Sequence, residues 1–202
     1  MARIGIFGGT FDPIHLGHLM CAEQARDACA LDTVLFVPVS IPAATKIDPV
    51  LAAEDRMRMC KLAIADNPSF DVCDVDIVRG GITYTADTLS DIRALYSDED
   101  ELFFITGSDS ALSLPQWYKP RTLARLASFI AVDRPGSAMT EEQCDELAQN
   151  GFTVIPIHTA TLDISSTEVR RRVSEGRSIR YLCPEPVRTY ITERGLYRKG
   201  DK

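Results

Sequence analysis

The residues of this chain most able to do chemistry stand together near its start, in Gly8-Gly9-Thr10-Phe11-Asp12-Pro13-Ile14-His15-Leu16-Gly17-His18. Glycines let backbone N–H groups come close to phosphate oxygens, and a helix N-terminus adds a partial positive charge. His15 and His18 are two of only three histidines, and their i, i+3 spacing puts both rings on one side of a turn entering a helix. Two such rings can grip one object. A metal pair would need a third ligand at metal spacing, which the neighbourhood lacks, and paired N–H donors at a strand-to-helix loop suit phosphate contact better than core packing. The segment has neither the G-x-G-x-x-G spacing of a dinucleotide fold nor the G-K-S/T of a Walker loop, so it is a phosphate site of another kind.

Such a loop works only where other elements hold it. Arg3 to Phe7, Thr33 to Pro38, Phe70 to Val78, Leu102 to Thr106, Ser128 to Asp133 and Thr153 to Ile157 are short β-branched or aromatic runs that predict strands. Helix-length segments lie between them: Leu16 to Ala30, Leu51 to Ala65, Ala86 to Tyr96, Lys119 to Ala127 and Thr140 to Gln149. The succession predicts an α/β fold, a Rossmann-like, doubly wound and mostly parallel sheet with helices on both faces and right-handed crossovers. One domain over residues 1–202, ending in a C-terminal helical extension, accounts for the length. Ser165 with Glu168 predicts a capping box before Val169 to Val173, with Gly176 as the stop. Pro184, Pro186 and Gly195 frame the last helix in the same way. The glycine loop then sits after the first strand, where open α/β sheets bind phosphorylated ligands.

Composition narrows the classes. A formal net charge of -7 excludes a generic nucleic-acid binder, which needs clustered positive charge. No run approaches the roughly 20 apolar residues that span a bilayer, and the start of the chain carries no leader pattern, so a cytoplasmic protein is expected. The six cysteines form no C-x-x-C pair and are expected to be small core hydrophobes.

The string G-G-T-F-D-P-I-H-x-G-H resembles the first signature of the H-x-G-H nucleotidyltransferase superfamily, and Ile164-Ser165-Ser166-Thr167 with Arg170 resembles its second, I-S-S-T-x-x-R. Between them, Thr83-Tyr84-Thr85-Ala86-Asp87-Thr88-Leu89, Phe104-Ile105-Thr106-Gly107-Ser108-Asp109, Leu114-Pro115-Gln116-Trp117 and Arg134-Pro135-Gly136 are similar in order and spacing to bacterial nicotinate-nucleotide adenylyltransferases. That resemblance covers nearly the whole chain, as a single nucleotidyltransferase domain. Pantetheine-phosphate adenylyltransferases lack the T-Y-T-x-D-T-L segment, and cytidylyltransferases usually carry a different C-terminal signature.

The resemblance implies adenylyl transfer from ATP to nicotinate mononucleotide, giving deamido-NAD and pyrophosphate. It implies that His15 and His18 are catalytic and hold the ATP phosphates. Gly8, Gly9, Thr10, Phe11, Gly107, Arg134, Ile164, Ser165, Ser166, Thr167 and Arg170 complete the ATP site, with Arg134 against the adenine. Tyr84, Thr85, Ala86, Asp109, Trp117 and Lys46 are implied to take the mononucleotide, with Asp109 on a ribose hydroxyl. Asp12 is expected to brace the glycine loop, and His158 has no assigned role. The family pattern P-x-x-x-P-P-H-K/R appears here as Pro38-Val39-Ser40-Ile41-Pro42-Ala43-Ala44-Thr45-Lys46, without the histidine and with the lysine displaced by one. Mg²⁺ is expected to arrive on the ATP phosphates with no protein cage of its own. The implied partners are the two small substrates, with no nucleic acid or membrane, and a homo-oligomer is left open.

Overall fold

The computed structural model describes residues 1–43, 50–133, 138–158, 160 and 162–198. Along the chain run β1 (Arg3–Gly9), α1 (Leu16–Ala28), β2 (Thr33–Pro38), β3 (Ile41–Pro42), α2 (Ala53–Ala63), β4 (Phe70–Val72), α3 (Val75–Arg79), β5 (Ile82–Thr83) and α4 (Thr85–Arg93). Then come β6 (Glu101–Gly107), α5 (Ser108–Ala111), a 3-10 turn at Leu114–Gln116, α6 (Pro120–Leu126), β7 (Ser128–Val132), α7 (Glu141–Gln149), β8 (Val154–Ile157), α8 (Ser166–Ser174) and α9 (Glu185–Glu193). Six strands form one parallel sheet in the order β4-β2-β1-β6-β7-β8.

Alternate residues of each strand face opposite layers. Val34 and Phe36 of β2 enter a core with Ala22, Ala25, Met59, Cys60 and Val169 from α1, α2 and α8. Leu35 and Val37 point the other way, to Leu89, Leu123 and Leu147 of α4, α6 and α7. The sheet is therefore buried on both faces, as parallel sheets with crossover helices are. Because the chain leaves β1 toward β2 and later returns to β6 on the other flank, strand order reverses between β1 and β6, and a crevice opens at their C-terminal ends.

The expected α/β sheet is present, with three local differences. The predicted strand from Phe70 to Val78 ends at Val72, and α3 follows. Its alternation of apolar residues and aspartates reads as a strand, yet Asp76 and Arg79 form an i, i+3 pair that only a helical turn brings together. The predicted capping box is half formed: Ser165 Oγ accepts from the Glu168 N–H at 3.1 Å. The Glu168 carboxylate does not return to Ser165 because it accepts from Arg171 and Arg172. A short parallel ladder between β3 and β5, pairing Ile41 with Ile82 and Pro42 with Thr83, was not anticipated. Gly176 and Gly195 end α8 and α9 with φ of +68° and +67°, as expected.

Candidate active site

The glycine loop takes its shape from a contact between its own residues. A Cβ on Gly9 would meet the Phe11 ring at 2.9 Å, so glycine is what allows that ring to fold back over the loop. Phe11 is buried with φ +49° and packs edge-on to Phe7 and to His18. The next turn enters α1, and the His15 and His18 rings stack with centroids 3.6 Å apart and planes 25° apart. Gly17 between them has an equally local cause: a Cβ there would lie 3.1 Å from His15 Nδ1 and 3.2 Å from Cε1.

Both imidazoles are held neutral. Burial lowers His15 to about 4. Burial, and then the nearness of His15, lowers His18 well below the usual histidine value. The backbone N–H of His15 donates to His18 Nδ1 at 3.2 Å, which places the His18 proton on Nε2. His18 thus offers a neutral, oriented N–H donor. His15 Nδ1 is buried with no hydrogen-bond partner among the described residues.

The C-terminal signature docks onto this loop. Ser166 Oγ donates to Pro13 O at 2.8 Å, and Arg170 donates from Nη1 to Asp12 O at 2.6 Å and from Nη2 to Thr167 Oγ1 at 3.3 Å. Ser165 Oγ caps α8. The loop from β8 to α8 also reaches α1, through paired hydrogen bonds between the Gln24 amide and the Ala160 backbone. The two signatures, far apart in sequence, are one site in space.

Below the loop lies a polar network that the sequence reading missed. Asp12, 2% exposed, accepts from Val50 N–H at 2.7 Å and from the Tyr197 hydroxyl at 2.5 Å, so it braces the loop as expected. Arg56, 1% exposed, donates to three main-chain carbonyls: Thr10 at 2.8 Å, Ser40 at 3.2 Å and Leu51 at 3.3 Å. Burial pulls this guanidinium below its usual range, and the Asp12 charge opposes that most strongly. A sequence signal for Arg56 existed, since it shares the buried face of α2 with Met59, Cys60 and Ala63 at i+3, i+4 and i+7.

A cavity of about 510 Å³ opens at the switch point. The glycine loop (Gly8, Gly9, Thr10) and Gly107 line it together with Tyr84, Thr85 and Trp117. Trp117 is half-buried, donates from Nε1 to Ser113 Oγ at 2.8 Å and meets Phe104 edge-on. Tyr118, not singled out from sequence, also lines the cavity, with its ring 4.4 Å from that of Tyr84. Thr85 begins α4, and Ala86 is buried beside it. Asp109 is exposed in the first turn of α5, while Ser108 donates to the buried Asp133 carboxylate. His158, left without a role, lies 2.5 Å from Asp133 through Nδ1. Lys46 and Arg134 fall outside the described residues, and Ile164 is partly buried against the α1 side of the core.

A parallel sheet whose switch point carries a glycine-rich loop and two stacked histidines defines a nucleotide-handling α/β protein, and residues 6–172 match the cytidylyltransferase-like family model. Among proteins named as probable nicotinate-nucleotide adenylyltransferases, one from Thermus thermophilus is 45% identical over 196 residues, 97% of this chain and 100% of the relative. That of Moorella thermoacetica is 46% identical over 199 residues, 97% of this chain and 92% of the relative. The chain belongs to the nicotinate-nucleotide adenylyltransferase family within that cytidylyltransferase-like class. The solved structure of Plasmodium falciparum nicotinic acid mononucleotide adenylyltransferase complexed with NaAD shares the fold, with TM-score 0.78 at 20% identity and 98% of both chains covered.

Proposed function

We propose that the chain is a single nucleotidyltransferase domain that transfers the adenylyl group of ATP to nicotinate mononucleotide, releasing pyrophosphate and deamido-NAD. The observation that carries this reading is one cavity lined both by the phosphate loop and by Tyr84, Thr85 and Trp117, a phosphate site and a ring site in one opening. A phosphate monoester is largely dianionic at neutral pH and attacks without a general base. Its oxygen forms the new bond to the α-phosphorus as the bond to the β-phosphate oxygen breaks. Catalysis then rests on alignment and on stabilising charge. Neutral His15 and His18 suit that task, because each can donate an N–H hydrogen bond without having to shuttle a proton.

In this reading Gly8, Gly9, Thr10 and Phe11 shape the loop for the triphosphate. Ser165, Ser166, Thr167 and Arg170 take the β- and γ-phosphates, Ile164 belongs to the same ATP site, and Gly107 and Arg134 serve the adenosine. Tyr84, Thr85, Ala86 and Trp117 enclose the pyridine ring, Asp109 takes a ribose hydroxyl, and Lys46 serves the acceptor phosphate. The N-terminus of α4 at Thr85 rewards a nicotinate carboxylate, which a nicotinamide lacks. Mg²⁺ would neutralise phosphate charge. Both oxygens of Asp12 already accept protein donors, which fits a metal carried on the nucleotide. The family match supports a cytoplasmic biosynthetic role, and among the described residues no helix is long and apolar enough to cross a membrane.

The test is product analysis by mass spectrometry after mixing the protein with ATP, Mg²⁺ and, separately, nicotinate mononucleotide, nicotinamide mononucleotide or phosphopantetheine. Deamido-NAD and pyrophosphate are expected in the first tube, and a His18→Ala variant should lose about 100- to 1000-fold in turnover. Product only with phosphopantetheine, or none anywhere, would overturn the reading.

A further inference from the structure

Two substrates must meet in line, yet the loops that hold them belong to different parts of the chain. The ATP side is the glycine segment that ends β1 at Gly8 and Gly9 and continues into Thr10. The acceptor side is Tyr84 to Ala86, after β5. Among the described residues, a set of hydrogen bonds links them through Arg56 and Ser40, which do not line the cavity. Arg56 Nη1 donates to Thr10 O at 2.8 Å and Nη2 to Ser40 O at 3.2 Å, so one guanidinium spans the glycine loop and the segment after β2. The N–H of that same Ser40 donates to Thr83 Oγ1 at 3.1 Å. Thr83, 7% exposed and itself at the cavity wall, directly precedes Tyr84 and Thr85. The β3 and β5 ladder, with Pro42 opposite Thr83, fixes the same two segments side by side.

This arrangement is costly unless it sets geometry. Arg56 is fully buried, and among the described residues no carboxylate forms an ion pair with it. Its three hydrogen bonds there all go to main-chain carbonyls. A planar fork with donors at fixed angles can hold three carbonyls at set positions, and a lysine ammonium cannot reproduce that. We propose that Arg56 is a positioning residue for the transfer step, fixing through Ser40 and Thr83 the separation between the loop that holds ATP and the loop that holds the acceptor. Arg56 touches neither substrate. Its effect is felt where two bound molecules must align, and a misplacement of about 1 Å at that point costs on the order of 100-fold in rate. The inference rests on the adenylyl-transfer reading above.

The experiment compares Arg56→Lys with the wild type, measuring kcat for deamido-NAD formation and, by calorimetry, the Kd of ATP alone and of nicotinate mononucleotide alone. The expected result is a kcat lower by about 30-fold or more, with each Kd within about threefold of wild type. A folded Arg56→Lys protein with near-normal kcat overturns the proposal. So does a kcat loss matched by an equal loss in either Kd, because Arg56 would then merely support one binding loop. If Arg56→Lys does not fold, Thr83 decides. Thr83→Val removes the acceptor for the Ser40 N–H and should lower kcat about 10-fold, while Thr83→Ser keeps the hydroxyl and should restore it. A Thr83→Val enzyme with wild-type kcat, or a Thr83→Ser enzyme as slow as the valine variant, overturns the proposal. Failure of the underlying reading is distinct: the wild type itself would then form no deamido-NAD.

Discussion

Replacing Gly17 by alanine separates what the loop does for the fold from what it does for the reaction. Gly17 is the second residue of α1, in the first turn, where the alanine-over-glycine preference is at most the about 1 kcal/mol of a helix interior. The added methyl would sit 3.1 Å from His15 Nδ1 and 3.2 Å from Cε1, with Leu162 O at 3.5 Å on its other side. Ordinary contact begins at about 3.5 Å, so the His15 ring must give by roughly 0.4 Å. It is 5% exposed and stacked on His18 at 3.6 Å, so that movement displaces both donors together. The helix gain offsets the crowding, and the midpoint of thermal unfolding should stay within a few degrees of wild type. Turnover should fall about 10- to 100-fold, equivalent to roughly 1.4 to 2.7 kcal/mol of transition-state stabilisation. The assay is kcat by pyrophosphate release, with differential scanning calorimetry on the same samples. An alanine variant with kcat within about twofold of wild type would refute the claim that the ring positions matter at this scale.

Three other outcomes follow from the same geometry. Tyr197→Phe leaves a buried Asp12 oxygen without its hydroxyl donor and should lower unfolding stability by about 1 to 3 kcal/mol in urea titrations; an unchanged midpoint would show that water replaces the hydroxyl. Because folding holds His15 down at about 4 against the ordinary 6.5, the unfolded chain binds the proton first, so the His15 contribution is complete above pH 6.5 and is lost as pH falls toward 4. The size is on the order of 3 kcal/mol, and His15→Gln should flatten the stability profile in that window; an equally steep profile in the variant would assign the slope elsewhere. Trp117 is the only tryptophan and lies at the cavity, so nicotinate mononucleotide should quench intrinsic fluorescence in a saturable titration; a signal moved by ATP alone and indifferent to the mononucleotide would place the ring elsewhere.

What the sequence made legible was local. The glycine loop, its histidines and the stops at Gly176 and Gly195 depend on residues within a turn or two of one another, so their types and spacing carry the information. The docking of Ser166 and Arg170 onto Pro13 and Asp12 spans more than 150 positions, and only the resemblance to a family with paired signatures anticipated it. Arg56 and Tyr197 escaped. In Glu54-Asp55-Arg56-Met57-Arg58, Arg56 looks like one charge among several, and its burial follows from which face of α2 turns inward. Tyr197 lies past the last helix stop, where no periodicity speaks for it. The strand expected to run on to Val78 failed because alternation describes a face without saying that a buried Asp76 needs Thr88 and Arg79 as partners. A buried carboxylate bends the chain toward its donors.

The loop that opens the chain is completed by residues near its other end: Arg170 reaches Asp12 across 158 positions and Tyr197 reaches it across 185. On a ribosome adding about 5 to 20 residues per second, the glycine loop would wait roughly 10 to 40 seconds for Tyr197 to be made. Until Tyr197 is made Asp12 has no phenol, and for most of that time the Asp12 and Pro13 carbonyls lack the donors that α8 brings. A growing chain therefore carries its glycine loop without these braces, and the loop is completed only once the last helix has been made.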